Sequence, residues 1–151
     1  MSCLGLHEHT LDYKGRVIVP AVFRELLAEG FTVALNSDWS ALAIYPKLKW
    51  GRIWERLERI RDTDKKGMAY KRLILANSAT VESLDSQGRF IIQRVLRDRA
   101  GITSPTNRVI IIGMGDYLEI WDEEKYIKRE ADYLAGMDEL VDYIDKLEIQ
   151  D

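Results

Sequence analysis

Leu11-Asp12-Tyr13-Lys14-Gly15-Arg16 returns 73 residues later as Leu84-Asp85-Ser86-Gln87-Gly88-Arg89. The match continues through Ile18 with Ile91, Val22 with Val95 and Arg24 with Arg97, so seven of 14 positions between Leu11–Arg24 and Leu84–Arg97 are identical. Further on, Leu42-Ala43-Ile44-Tyr45 resembles Leu118-Glu119-Ile120-Trp121. Two copies of about 70 residues fill the chain, which is a duplication and not a solenoid.

Each copy reads outward from its turn. Leu6 to Leu11 is compatible with a strand, and Tyr13-Lys14-Gly15 is a turn whose glycine can take positive φ. Val17-Ile18-Val19 is β-branched and extended. Pro20 suits the first turn of a helix with Val22, Phe23, Leu26 and Leu27 on one apolar face, stopped by Gly30. Strands over Phe31 to Leu35 and Leu42 to Tyr45 flank an Asn36-Ser37-Asp38 turn. Thr80 to Leu84, Arg89 to Ile92, Arg94 to Ala100, Arg108 to Ile112 and Tyr117 to Trp121 repeat these roles. Between the copies, Trp50, Ile53, Trp54, Leu57 and Ile60 recur at helical spacing, and a second helix is expected over Met68 to Ala76 after an Asp62–Gly67 loop. Asp122 is placed to cap a further helix, and Met137, Leu140, Val141, Ile144 and Leu147 line one side of a last one.

At 151 residues the chain suffices for one compact domain or two very small ones. Its 46% hydrophobic and 31% charged composition is globular. The longest apolar run, Val109 to Ile112, is far short of a membrane span. The start of the chain has no basic stretch followed by an apolar one, and Cys3 is the sole cysteine, so a cytoplasmic protein without disulfides is expected. The net charge of −3 hides an asymmetry. From Asp116 onward thirteen acids face four bases, a net −9, while Met1 to Gly115 carries +6.

Several residues are candidates for chemistry. A turn that ends in arginine presents a bidentate cation on a two-stranded ribbon, a shape that enters a DNA major groove. Alternatively, Asp12 and Asp85 could meet across a pseudo-twofold axis, share a proton and activate water as an aspartyl hydrolase. Against this, glycine stands three residues after each aspartate, and an arginine four after would neutralise it. His7 and His9 alternate on a strand and could hold a metal, but no third ligand is near in sequence and Cys3 sits at an end expected to fray. Ten bases against four acids between Lys47 and Arg72 give the middle helices +6, either a phosphate track or a solvated face.

The opening Glu8–Pro20 segment resembles the first hairpin of the MraZ family. Leu84–Gly101 and Ile110–Asp122 are similar to its second half, and Tyr45-Pro46 followed by Trp50 also fits. The resemblance implies an α+β fold of two tandem AbrB-like swapped-hairpin halves, double-psi-like β-barrels interlocked as a pseudo-dimer with flanking helices. It divides the chain into a first repeat over 5–55, a helical connector over 56–78, a second repeat over 79–126 and an acidic C-terminal segment over 127–151.

The resemblance also implies function. It points to a non-enzymatic, sequence-specific regulator in the cytoplasm, associated with the nucleoid. Such proteins assemble as ring-like homo-oligomers on double-stranded DNA with repeated boxes and usually repress the division and cell-wall gene cluster, their own promoter included. No cofactor or metal and no membrane contact are implied. Lys14, Arg16, Gln87 and Arg89 would touch DNA, and Asp12, Gly15, Asp85 and Gly88 would shape the hairpins. Two departures mark the second copy: Gln93 replaces the proline matching Pro20, and Gln87 replaces the lysine matching Lys14. Arg16 is therefore expected to matter more than Arg89. An antitoxin-type AbrB-like operon regulator, a purely structural ring and the hydrolase are the competing readings.

Overall fold

The computed structural model describes residues 2–147. Its elements follow the order β1 (Leu6–Thr10), β2 (Arg16–Ile18), α1 (Ala21–Arg24), β3 (Phe31–Leu35), β4 (Leu42–Pro46), α2 (Lys47–Glu58), α3 (Lys65–Ala76), β5 (Ser78–Val81), β6 (Arg89–Ile91), α4 (Arg94–Arg99), β7 (Arg108–Gly113), β8 (Leu118–Asp122), α5 (Glu123–Ala135) and α6 (Met137–Lys146). This is an α+β fold whose strands pair antiparallel throughout.

The pairing crosses between the copies. A six-stranded sheet runs β1-β7-β8-β4-β3-β5. Each copy's first strand pairs with the other copy's third: β1 with β7, from Leu6 opposite Ile112 to Thr10 opposite Arg108, and β5 with β3. The second strands leave this sheet and pair with each other, Arg16 opposite Ile91, Val17 opposite Phe90 and Ile18 opposite Arg89. A ribbon closed within one copy, as the turn suggests locally, is thus replaced by one built from both copies. β1 and β2 part after the turn, β1 pairing with β7 and β2 with β6, both strands of the second copy.

The core lies between this ribbon and the sheet. Val17, Val19, Phe23, Leu27, Phe90, Ile92 and Leu96 from the ribbon side meet Phe31, Val33, Leu42, Ile44, Val109, Ile111 and Ile120 from the sheet, all nearly fully buried. The sheet's other face is covered in part by Trp121 and Ile110, packed with Tyr126 of α5. Buried Glu119 accepts hydrogen bonds from Asn36 Nδ2 and Trp121 Nε1, so its charge is satisfied across the join of the copies.

Several elements differ from the sequence reading. α1 is one turn only, because beyond Arg24 the chain tightens into i→i+3 bonds, Leu27 N–H to the Arg24 carbonyl and Ala28 N–H to that of Glu25. Val22 is accordingly exposed while Phe23 and Leu27 are buried. α3 starts at Lys65, inside the expected loop, because Asp64 caps it by accepting the Gly67 N–H at 2.9 Å. β5 begins at Ser78, directly after Asn77 ends α3. Cys3 is not frayed: it forms an isolated bridge with Gly115, and its thiol donates to the Tyr117 carbonyl. Asp122 caps α5 as expected, accepting the Lys125 N–H. Glu148 and Asp151 of the acidic segment lie outside the described residues.

Candidate nucleic-acid interface

The two Asp-x-x-Gly-Arg turns are superimposable bond for bond. In the first, the Asp12 N–H donates to the Arg16 carbonyl at 3.0 Å and the Gly15 N–H to the Asp12 carbonyl at 3.0 Å; in the second, Asp85, Arg89 and Gly88 repeat this at 2.9 and 3.0 Å. Asp12 Oδ1 accepts the N–H groups of Lys14 and Arg16, and its Oδ2 accepts Arg16 Nε at 2.6 Å. Asp85 holds Gln87 and Arg89 identically, with Arg89 Nε at 2.8 Å. Gly15 and Gly88 adopt φ +80° and +77°, which only glycine takes without strain.

Each glycine also receives the opposite copy. The Val19 N–H donates to the Gly88 carbonyl and the Ile92 N–H to the Gly15 carbonyl, both at 2.9 Å. The Arg24 guanidinium lies against Gly88 and that of Arg97 against Gly15. Arg24 and Arg97 entered the sequence reading only as matched positions; their identity across the 73-residue offset was the available signal. The copies differ here: Arg24 Nε donates to the Val19 carbonyl, while buried Arg97 Nε has no partner among the described residues. Gly88→Ala should cost about 1–2 kcal/mol from its left-handed backbone alone. The new Cβ would also stand 2.5 Å from Arg24 and displace it. Urea denaturation checks this, and an unchanged midpoint would contradict the packing role.

Alternation decides what the ribbon offers. Val17 and Phe90, directly opposite, point into the core, so Arg16, Ile18, Arg89 and Ile91 share the outward face. The two arginines are diagonal neighbours there, with roughly 7–8 Å between them by ordinary sheet geometry. Their side chains are only 23% and 21% exposed, because each lies along its own aspartate. Their hydrogen bonds within the described residues run through Nε, which leaves the paired terminal amino groups for a ligand. Lys14 and Gln87 are exposed at the turn tips, Lys14 above the Tyr13 ring at 5.6 Å.

A groove of about 750 Å³ runs beside the ribbon and is lined by Arg16, Arg89, Ile91, Gln93 and β5. In the first copy the corresponding His7 ring meets Phe23 edge-on at 5.1 Å, whereas the second copy has the smaller Thr80 and Leu96 there. His7 is thus engaged in packing, and no group of three or more potential metal ligands occurs among the described residues. The middle-helix bases are drawn partly into local pairs, Lys49 and Arg52 with Asp116 and Lys71 with Glu58.

Electrostatics removes the shared-proton reading. Burial pushes the Asp12 carboxyl up, but the Arg16 N–H, the Arg16 guanidinium and the Lys14 N–H outweigh it and hold it below its ordinary value. The Arg89 N–H, working against burial and joined by the Arg89 side chain, does the same for Asp85. A proton-sharing pair needs one carboxyl raised; here both are lowered, each by its own arginine. The stabilisation of the turns by these carboxylates is therefore complete above the ordinary value of 3.8 and disappears as pH falls through the lower folded values. Urea midpoints followed down to about pH 3 should decline less steeply once Asp12→Asn and Asp85→Asn are combined. An identical decline would rule out this contribution.

The family model described as "MraZ protein, putative antitoxin-like" matches residues 3–73 and 75–138. The chain is 36% identical over 146 residues to a protein of Caldanaerobacter subterraneus subsp. tengcongensis named transcriptional regulator MraZ, covering 97% of this chain and 99% of the relative. Relatives of the same name from Lactiplantibacillus plantarum (36% over 138 residues; 91% and 94% covered) and Finegoldia magna (33% over 141 residues; 93% and 95% covered) align almost as fully. With both repeats matched and nearly the whole length shared, this chain belongs to the MraZ family of transcriptional regulators.

Proposed function

We propose that this protein regulates transcription by laying the outward face of the β2–β6 ribbon on double-stranded DNA, with Arg16 and Arg89 reading or gripping it and Lys14 and Gln87 flanking them. The observation that carries this reading is the placement of both arginines on one face of one ribbon, with their terminal amino groups unspent. The strand exchange β1–β7 and β5–β3, with the shared ribbon, supports an AbrB-like swapped-hairpin pseudo-dimer built within one chain. Asp12, Gly15, Asp85 and Gly88 shape the two turns.

With a net charge of −3, a single subunit attracts DNA weakly. A ring of subunits placing several ribbons on repeated boxes overcomes this through effective concentration. The proposed targets are the promoters of division and cell-wall genes, this gene's own included, which the bound ring would repress at the nucleoid without a cofactor and without enzymatic chemistry. No helix among the described residues is long and apolar enough to cross a membrane. An antitoxin-type regulator would share the ribbon; the folded helices α5 and α6, in place of an unstructured toxin-wrapping tail, favour the stand-alone regulator.

Fluorescence anisotropy on a duplex from upstream of this gene, against a scrambled duplex and across a salt series, tests the proposal. Binding should prefer the native duplex, with about −0.9 in the slope of log affinity against log salt for each phosphate neutralised. Equal binding to both duplexes, or none at low salt, would overturn it.

A further inference from the structure

The fold accounts for five of the seven residues that the two copies share between Leu11 and Arg24. Leu11 is buried in the core. Asp12, Gly15 and Arg16 make the turn, and Arg24 and Arg97 lie against the glycine of the opposite copy. Ile18 and Ile91 have no such role, standing 43% and 56% exposed on the outward face of the ribbon. Val22 and Val95, the remaining pair, are exposed too, but on α1 and α4 and not on the ribbon.

The residues on either side of the isoleucines differ between the copies. Buried Val17 is matched by Phe90, and buried Val19 by Ile92. A single exposed isoleucine is ordinary, and any β-branched side chain would serve the strand. The same exposed isoleucine in both copies, over core residues that differ, calls for a reason outside the fold.

The register supplies one. Ile91 stands directly opposite Arg16, and Ile18 directly opposite Arg89. Opposite residues of an antiparallel pair have Cβ atoms about 4.5–5.5 Å apart, so each arginine has an isoleucine beside it. The four side chains form a square, with the arginines on one diagonal and the isoleucines on the other. Each guanidinium is held through Nε by its own aspartate, which fixes it next to that isoleucine.

A square of this kind matches what the edges of base pairs offer. In the major groove they present hydrogen-bonding groups and, on thymine alone, a C5-methyl; the minor groove presents no methyl. Successive bases of a strand are about 3.4 Å apart along the axis. An arginine set on one base pair therefore brings its isoleucine over the next. Contacts to phosphate carry no sequence information, whereas a methyl contact does.

From these observations we infer that Ile18 and Ile91 read thymine, each packing on the C5-methyl of the base pair beside the one that its neighbouring arginine grips, with the ribbon in the major groove. The inference rests on the proposed contact of this face with DNA and names two residues that give it sequence preference.

Fluorescence anisotropy on two forms of the duplex from upstream of this gene tests it. One form carries thymine; the other carries deoxyuridine at every thymine position of both strands, which removes the methyl groups and leaves the base pairing in place. Covering one methyl group is worth about fourfold in affinity, so the wild type should bind the deoxyuridine duplex roughly 4- to 15-fold more weakly. The double variant Ile18→Ala/Ile91→Ala, its fold checked by far-ultraviolet circular dichroism and thermal unfolding, should bind the thymine duplex about as weakly as the wild type binds the deoxyuridine one. It should also bind the two duplexes alike. Equal binding of the wild type to both duplexes overturns the methyl contact and leaves the ribbon as the DNA surface; this comparison needs no variant. A double variant that still separates the duplexes as the wild type does places the methyl contact elsewhere and overturns the inference as well. A wild type that binds neither duplex overturns the proposed function together with it.

Discussion

Arg16→Ala is expected to weaken DNA binding by at least tenfold, and Arg89→Ala by less. A bidentate arginine contact to a base is worth about 1–3 kcal/mol, or roughly 5- to 150-fold in affinity. Removing Arg16 does more than delete a cation. It leaves Asp12, now without its guanidinium partner, as a bare carboxylate on the face that would meet phosphate. The same holds for Asp85 when Arg89 is removed. The difference lies in the neighbours: Lys14 concentrates positive charge beside Arg16, whereas Gln87 adds none beside Arg89.

In an assembly that places several ribbons on one duplex these losses compound, so the measured effect should exceed that of a single contact. Arg16→Lys keeps the charge but loses the fork and should fall between the wild type and alanine. Anisotropy titrations of the variants on the upstream duplex give the ranking. Equal losses for Arg16→Ala and Arg89→Ala would sink the asymmetry, and no loss in either would remove the ribbon as the contact surface.

Phe90→Ala is expected to cost about 3–5 kcal/mol, a large share of the 5–15 kcal/mol that holds a typical domain together. Phe90 is buried opposite Val17 at the centre of the ribbon, with its ring edge-on to Phe31 at 5.0 Å. It is thus the place where the second copy's ribbon strand meets the first copy's sheet. Truncating it opens a cavity between the two layers, and the melting temperature should fall by roughly 10 °C.

Its sequence neighbour supplies the control. Ile91 is 56% exposed on the outward face, so Ile91→Ala should shift stability by no more than about 0.5 kcal/mol. A similar loss at both positions would mean that the ribbon's inward and outward faces are not those described.

Much of this molecule is legible in its chain. β3 runs over the expected Phe31–Leu35 span, and β7 differs from expectation by one residue at its end, because largely apolar segments buried on both faces have few alternatives. The turns are legible for another reason. Asp12 makes its bonds to Lys14, Gly15 and Arg16 within the turn itself, so the local sequence contains what shapes it, while the Gly15 carbonyl is left to Ile92 of the other copy. Arg24, Arg97 and Phe90 were harder to read, because what makes them matter is a residue of the other copy, far away in the chain. Val22 was misread because a helix-period pattern says nothing about where a helix gives way to tighter turns.

The chain by itself therefore determines the duplication, the two arginine-tipped turns, and the split between a basic body and an acidic end. Tertiary structure alone decides which strand each of these meets. In a duplicated chain, pairing within a copy and pairing between copies satisfy the same apolar pattern, since matching strands carry matching residues. The choice falls to the geometry of the whole: β1 lies on β7 and β5 on β3 at the two ends of the sheet, while β2 and β6 leave it and pair with each other. That pairing, not the turn motif, puts Arg16 and Arg89 side by side on one face.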